Sequence, residues 1–243
     1  ARVGEREPAR RSEVESLVMR DADAIIVSTE EEKQDAVRLY DAHPQKIEVI
    51  PAGVNLDTFK PVNKSIARQR VGIHEKQVIL YVGRIEPLKG LDVLLKAAAL
   101  LDGSDDTRVL IVGGSPGNDA ELDRLKALTT ELDIESTVTF TGAIKQNKLP
   151  DYYNAADVFV LPSHSESFGL AALEAMACGT PVVVSRVGGL KTFIDNGESG
   201  YLVPWRCPEP FVQRLEMLLA NPLLREAMGR AARAKALQMG WGH

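Results

Sequence analysis

Two glutamates eight positions apart, Glu166 and Glu174, stand on either side of Phe168-Gly169-Leu170. A carboxylate accepts two hydroxyl hydrogen bonds and so suits the vicinal hydroxyls of a sugar. If a helix begins at Gly169, its first free N–H groups suit a phosphate. One short stretch therefore offers both halves of a sugar–phosphate site. On spacing alone the simpler reading is a loop charge and a solvated helix residue. A second set, Gly83–Gly90 (GRIEPLKG), carries Arg84 as a planar fork and Lys89 as a point charge, both suited to phosphate. A third, Thr141–Lys145 (TGAIK), offers exposed backbone that could read a base edge.

These groups act together only if the fold places them together. Val158–Leu161 reads as an apolar strand, Pro162–Ser167 as a loop, Gly169–Cys178 as a helix and Pro181–Val184 as a second apolar strand, a β-α-β unit of a parallel sheet. Gly179 suits the left-handed position past the helix, and Thr180-Pro181 stops it. Elsewhere strands are expected at Gln77–Val82, Arg108–Val112, Thr137–Thr141 and Tyr201–Val203. Helices are expected at Leu91–Leu101, Asp119–Leu132, Lys148–Asn154, Pro210–Leu219 and Leu223–Leu237. This alternation implies an α/β fold, a Rossmann-like parallel sheet with helices on both faces. All three candidate loops follow strands, which puts them on the carboxyl edge where open α/β sheets bind ligands. Gly113–Gly117 (GGSPG) follows another strand but lacks the Walker pattern and reads as a flexible turn.

The chain has 243 residues and net charge −5, with no long run of either sign. A broad basic face for nucleic acid is therefore not expected. Neither a membrane span nor a secretory leader is expected. Cys178 and Cys207 lack metal-ligand spacing and read as reduced thiols of a cytoplasmic protein. Upstream, residues 1–20 read as a helix. Asp23–Ser28 and Lys46–Ile50 read as strands flanking a helix capped by Thr29 that runs to Tyr40. The aperiodic stretch Ala52–Pro61 marks a boundary, dividing residues 1–58 from 59–243. The first piece is too small for a core of its own, and it is expected either to pack on a second copy of the chain or to be poorly ordered.

GRIEPLKG, TGAIK and SESFGLAALEAMACGTPVV followed by VGG resemble the C-terminal, donor-binding domain of retaining GT-B glycosyltransferases of family four (glycosyltransferase group 1). The upstream text ADAIIVSTEEEKQDAVRLY…KIEVIPAGVNLDTFKP resembles the end of that family's N-terminal domain. Among members, the chain most resembles the inositol-phosphate N-acetylglucosaminyltransferases of mycothiol synthesis and the sucrose-phosphate synthases. The resemblance implies a nucleotide-diphosphate sugar as donor, a hydroxyl acceptor and no metal or other cofactor. It implies that Arg84 and Lys89, beside Gly83, hold the diphosphate, that Glu166 holds hydroxyls of the transferred sugar and that Glu174 holds the ribose. Backbone at Phe168, Gly169 and Leu170 would meet the sugar and distal phosphate, and backbone at Ile144 the base. His164 reads as a loop histidine. Gly188-Gly189 either approaches the sugar or forms a simple turn. A complete member carries a larger N-terminal domain and a final helix crossing back onto it, so 59–243 is expected to stop before that helix. The alternative is a nucleotide-sugar-binding module without transfer. A dehydrogenase is excluded because no G-x-G-x-x-G opens the first β-α turn. Base, sugar and acceptor stay open.

Overall fold

The computed structural model describes residues 10–101, 106–114, 119–204 and 207–241. The first nine residues of the expected leading helix, and Ser115–Gly117 of the GGSPG turn, lie outside them.

The amino-terminal piece holds helix α1 (Arg11–Asp21), strand β1 (Ile25–Val27), helix α2 (Glu30–Tyr40) and strand β2 (Ile47–Val49). β1 and β2 pair in parallel. Thr29 caps α2 as its sequence predicts, its hydroxyl accepting from Glu32 N–H at 3.1 Å. Among the described residues the buried apolar side chains there are Ala36, Ala42 and Ile47, with Met19, Ile25, Val27 and Val37 against them. Val14, Val18, Ile26 and Leu39 remain exposed.

Past the linker come α3 (Lys64–Val71), β3 (Gln77–Val82), α4 (Leu91–Ala99), β4 (Thr107–Val112), α5 (Asp119–Glu131) and β5 (Val138–Gly142). Then follow α6 (Leu149–Ala155), β6 (Val158–Leu161), α7 (Leu170–Ala177), β7 (Val182–Ser185), α8 (Leu190–Phe193), β8 (Gly200–Val203), α9 (Glu209–Ala220) and α10 (Pro222–Leu237). α3 has no counterpart in the sequence reading. It is polar and buries only Ala67, so it shows no apolar period; its signals are the Asn63 cap, bonded to Ile66 N–H at 3.2 Å, and left-handed Gly72 at its end.

Six parallel strands form one sheet in the order β5-β4-β3-β6-β7-β8. Chain order runs outward from β3 in one direction and from β6 in the other. β3 and β6 therefore flank the switch point, and the loops after them open on the same crevice. Their side chains are buried on both faces, Val78–Tyr81 and Val158–Val160 completely. This explains why the strands read as continuous apolar runs.

Right-handed crossovers carry each helix back from the carboxyl edge to the amino edge. Helix N-termini gather on the first edge and C-termini on the second. On the amino edge one buried carboxylate organises the ends. Asp157, just before β6, accepts from Val78 N–H (2.8 Å), Lys64 (2.8 Å) and Arg68 (2.7 Å), with Arg225 Nε at 3.6 Å. It thereby joins α3, β3 and α10. The linker is tied down nearby: Asn154 accepts from Val62 N–H and donates to Lys60 and Pro150 carbonyls. The far end of the chain returns to it, with Val54 N–H donating to Met239 C=O at 2.8 Å.

Asp157→Ala would leave Arg68 and Arg225 half-buried without their carboxylate. We expect a loss of about 3 kcal/mol, read as a lower urea midpoint at unchanged slope.

Candidate functional site

The switch point brings two of the predicted residues into direct contact. Lys89, from the loop after β3, places Nζ 2.8 Å from Glu166 Oε2, in the loop after β6; their side chains are 15% and 14% exposed. Ser163 Oγ donates to the same oxygen at 3.2 Å. The two loops also touch through backbone, His164 N–H donating to Leu88 C=O at 2.8 Å. Lys89 keeps two further N–H donors. Among the described residues, none donates to Glu166 Oε1. The site thus presents one free carboxylate oxygen beside an ammonium with donors to spare.

Glu174 has the same half-committed form. It sits one turn into α7, and its Oε2 accepts from the buried Tyr153 hydroxyl at 2.7 Å. Among the described residues, nothing donates to its Oε1. Burial raises the Glu174 pKa, and the Tyr153 bond pulls it partly back. Burial also pushes the Tyr153 phenol well above its ordinary value, Glu174 adding to the effect. Tyr153 escaped the sequence reading; the apolar company of its helix makes it look like core.

Gly169 stands at the N-cap of α7 with φ +97, and a Cβ there would lie 2.4 Å from Leu190 Cδ2. Any other residue would be strained at this φ and would have to push the Leu190 side chain aside. The backbone at the start of α7 is therefore bare, with its N–H groups facing the crevice edge. Phe168 is buried and stacks on Phe193 with ring centroids 5.2 Å apart, which fixes the loop from below. Leu170 is 48% exposed.

Gly188 and Gly189 form a turn, one of the two roles their sequence leaves open. They clamp the focal loop itself. Gly189 N–H donates to Ser167 C=O at 2.9 Å, and a Cβ on Gly188 (φ +46) would lie 1.6 Å from Glu166 C=O. The chain after β7 thus holds Glu166 by backbone contact.

Arg84 stays out of the cluster. Its guanidinium pairs with Glu86 at 2.7 Å and is 65% exposed. Its backbone is anchored, however: the buried Tyr81 hydroxyl donates to Arg84 C=O at 2.7 Å. Gly83 N–H donates to Val112 C=O. Ile144 lines a cleft of about 900 Å³ with Thr58, Lys60 and Tyr152, and none of Arg84, Lys89, Glu166 or Glu174 lines it. The amino-terminal piece lies on the same side of the sheet, with Glu31 paired to Lys191 of α8 at 2.6 Å. Among the described residues no group of three His, Cys, Asp or Glu side chains could hold a metal ion. No helix among them is long and apolar enough to cross a membrane.

A parallel α/β sheet whose switch point gathers a helix N-terminus, an ammonium and two partly bonded carboxylates has the architecture of the ligand-binding α/β class. Residues 63–235 match the family model of the glycosyl transferases group 1. The chain belongs to this family, and its sheet is that of a GT-B C-terminal domain. It is 42% identical over 247 residues to a D-inositol 3-phosphate glycosyltransferase of Frankia alni, covering 98% of this chain and 61% of the relative. Sucrose-phosphate synthase from Thermosynechococcus elongatus superimposes with a TM-score of 0.88 at 34% identity, covering 97% of this chain and 59% of that one. Anabaena HepE, solved in complex with UDP-glucose, shares the fold, with a TM-score of 0.86 at 24% identity over 94% of this chain and 63% of that one. The chain spans about three-fifths of the length of the curated relatives it matches.

Gly188→Ala must displace the Glu166 peptide. We expect a cost of about 1–3 kcal/mol in thermal melts, together with lost nucleotide-sugar affinity by calorimetry. Unchanged affinity in a folded variant would show that the clamp does not position Glu166.

Proposed function

We propose that this chain is the donor-binding part of a retaining glycosyltransferase, moving a hexosyl group from a nucleotide-diphosphate sugar to a hydroxyl acceptor. The Lys89–Glu166 pair at the switch point carries the reading: an ammonium and a carboxylate meet where a helix N-terminus also points. In the donor, the diphosphate lies beside the sugar, so adjacent positive and acceptor groups match its two parts. HepE, with UDP-glucose bound, supports a UDP-sugar as the first donor to try. The curated relatives' name supports D-inositol 3-phosphate as the first acceptor.

Chemistry follows from where charge moves. The C1–O bond to the diphosphate breaks with its electron pair leaving on the phosphate oxygen, and the sugar becomes cationic. Lys89 and the α7 N–H groups meet that growing negative charge, so they stabilise the transition state beyond the ground state. Arg84 can swing from Glu86 to the diphosphate, since its side chain is exposed. The acceptor hydroxyl attacks the face the diphosphate leaves, and its proton passes to a donor phosphate oxygen; configuration is retained. Glu166 Oε1 takes a sugar hydroxyl and Glu174 Oε1 a ribose hydroxyl, while Ile144 offers backbone to the base. Protein cations neutralise the diphosphate in this scheme, so we propose that no metal is needed. A binding module without transfer would have no use for an ammonium held at the scissile bond. We place the protein in the cytoplasm, with Cys178 and Cys207 as free thiols. For the chain as given, we propose that a second copy covers the exposed apolar side chains of α1 and α2, and light scattering giving a clean monomer would refute that.

Lys89→Ala should lower kcat roughly a hundredfold, about 3 kcal/mol, while the donor Kd changes far less. Equal losses would make Lys89 a uniform binder. Glu174→Ala should raise the donor KM at little cost in kcat. Because the folded Glu174 pKa is raised, protonation begins at higher pH than for a free glutamate. Donor affinity should therefore weaken early on acidification, and Glu174→Gln should abolish that acid limb. A limb that persists in Glu174→Gln belongs to another group.

A further inference from the structure

We propose that the cleft on the amino edge of the sheet, opposite Lys89 and Glu166, binds a small phosphate-bearing anion. The cleft measures about 740 Å³ and lies where the chain enters β6 and β7, between α3, α10 and the end of α7. That volume is in the range of small-molecule sites. Six lysine and arginine side chains line it against two carboxylates. Lys76 turns to Asp106 at 2.5 Å and Arg230 has Glu226 at 3.9 Å. This leaves Lys64, Arg68, Arg225 and Arg233 around one acid, Asp157. Asp157 already accepts from Val78 N–H, Lys64 and Arg68, Arg225 Nε stands off at 3.6 Å, and no contact joins Asp157 to Arg233 among the described residues.

The bland account is that these cations cap helix ends, and it holds for part of them. Arg225 Nη1 donates to Leu218 and Leu219 carbonyls, Arg233 Nη1 to Phe59 and Ala177 carbonyls, and Arg68 Nε to Ala155 C=O. A helix C-terminus supplies only about half a negative charge, which orients a guanidinium without neutralising it. The capping also leaves donors unspent. Among the described residues nothing accepts from Arg233 Nε or Nη2, or from Arg225 Nη2, and Lys64 Nζ has two hydrogens beyond the one on Asp157. Arg68 is fully spent, its Nη1 and Nη2 donating to Glu75 and Lys76 carbonyls and to Asp157. Carbonyls hold the Arg225 and Arg233 forks in place and leave their free edges and charge for a ligand. Positioned guanidinium forks select phosphate geometry. A chain of net charge −5 has gathered this excess into one cleft.

The site is independent of the donor reading, and calorimetry can separate them. The 243-residue chain is titrated with inorganic pyrophosphate as wild type, Lys89→Ala, Lys64→Gln and Arg233→Gln. Binding should survive Lys89→Ala and weaken roughly tenfold with each lost charge in the other two. Arg233 also ties the linker to α7, so Lys64→Gln, whose side chain is half exposed, decides the matter if Arg233→Gln does not fold. No binding by wild type at millimolar pyrophosphate overturns the proposal. So does binding lost in Lys89→Ala but kept in Lys64→Gln, which would assign the anion to the opposite edge.

Discussion

The contact between Lys89 and Glu166 is the one on which the site depends. It spans the place in the sheet where the strand order reverses, and it joins loops that are far apart in sequence. An ion pair this enclosed is not chiefly a source of stability, because desolvating both charges offsets most of the attraction. Its effect is positional. Each charge fixes the other, so an ammonium and a carboxylate wait at a set separation with unused hydrogen-bonding capacity. Backbone contacts from three directions hold that arrangement: Leu88 on His164, Gly189 on Ser167, and Gly188 beneath Glu166.

The two edges of the sheet have opposite electrical character for a single reason. Every crossover helix runs antiparallel to its strand, so one edge collects free N–H groups and the other free carbonyls. On the carboxyl edge bare backbone at Gly169 leaves N–H groups available to an anion. On the amino edge arginines from α3 and α10 meet the carbonyl ends of α6, α7 and α9, and Asp157 knits them to β3. Helix α7 connects both edges: its first turn faces Glu166, and its last carbonyl is held by Arg233. Burial pushes the Cys178 thiol up to about 12 at that same end, so the thiol stays protonated and acts as apolar filling.

Glu166 and Glu174 show a common device. In each, a neutral hydroxyl (Ser163 or Tyr153) pins one carboxylate oxygen, and the other oxygen is left for a ligand. A carboxylate held this way loses rotational freedom, which lowers the entropy cost of accepting a hydrogen bond from any ligand that docks there. The amino-terminal piece is tied to this edge by the ion pair between Lys191 and Glu31.

Much was legible in the residue order. Apolar runs marked the inner strands of the main sheet, since a strand buried on both faces must be apolar throughout, while the edge strand β5 (VTFTG) is only part-buried and alternates. The spacing Glu166–Phe168-Gly169–Glu174 marked the site because a helix start, a residue without a side chain and two acids are local features. Family membership was legible from the same motifs. α3 was not, because a polar helix that buries one alanine carries no period. The tertiary structure alone decided the partners. That Lys89 meets Glu166 while Arg84 turns to Glu86, that Tyr153 serves Glu174, and that Gly188 props Glu166 are contacts between residues distant in the chain or set by a rotamer. Strand order and packing fix these, and no local pattern encodes them.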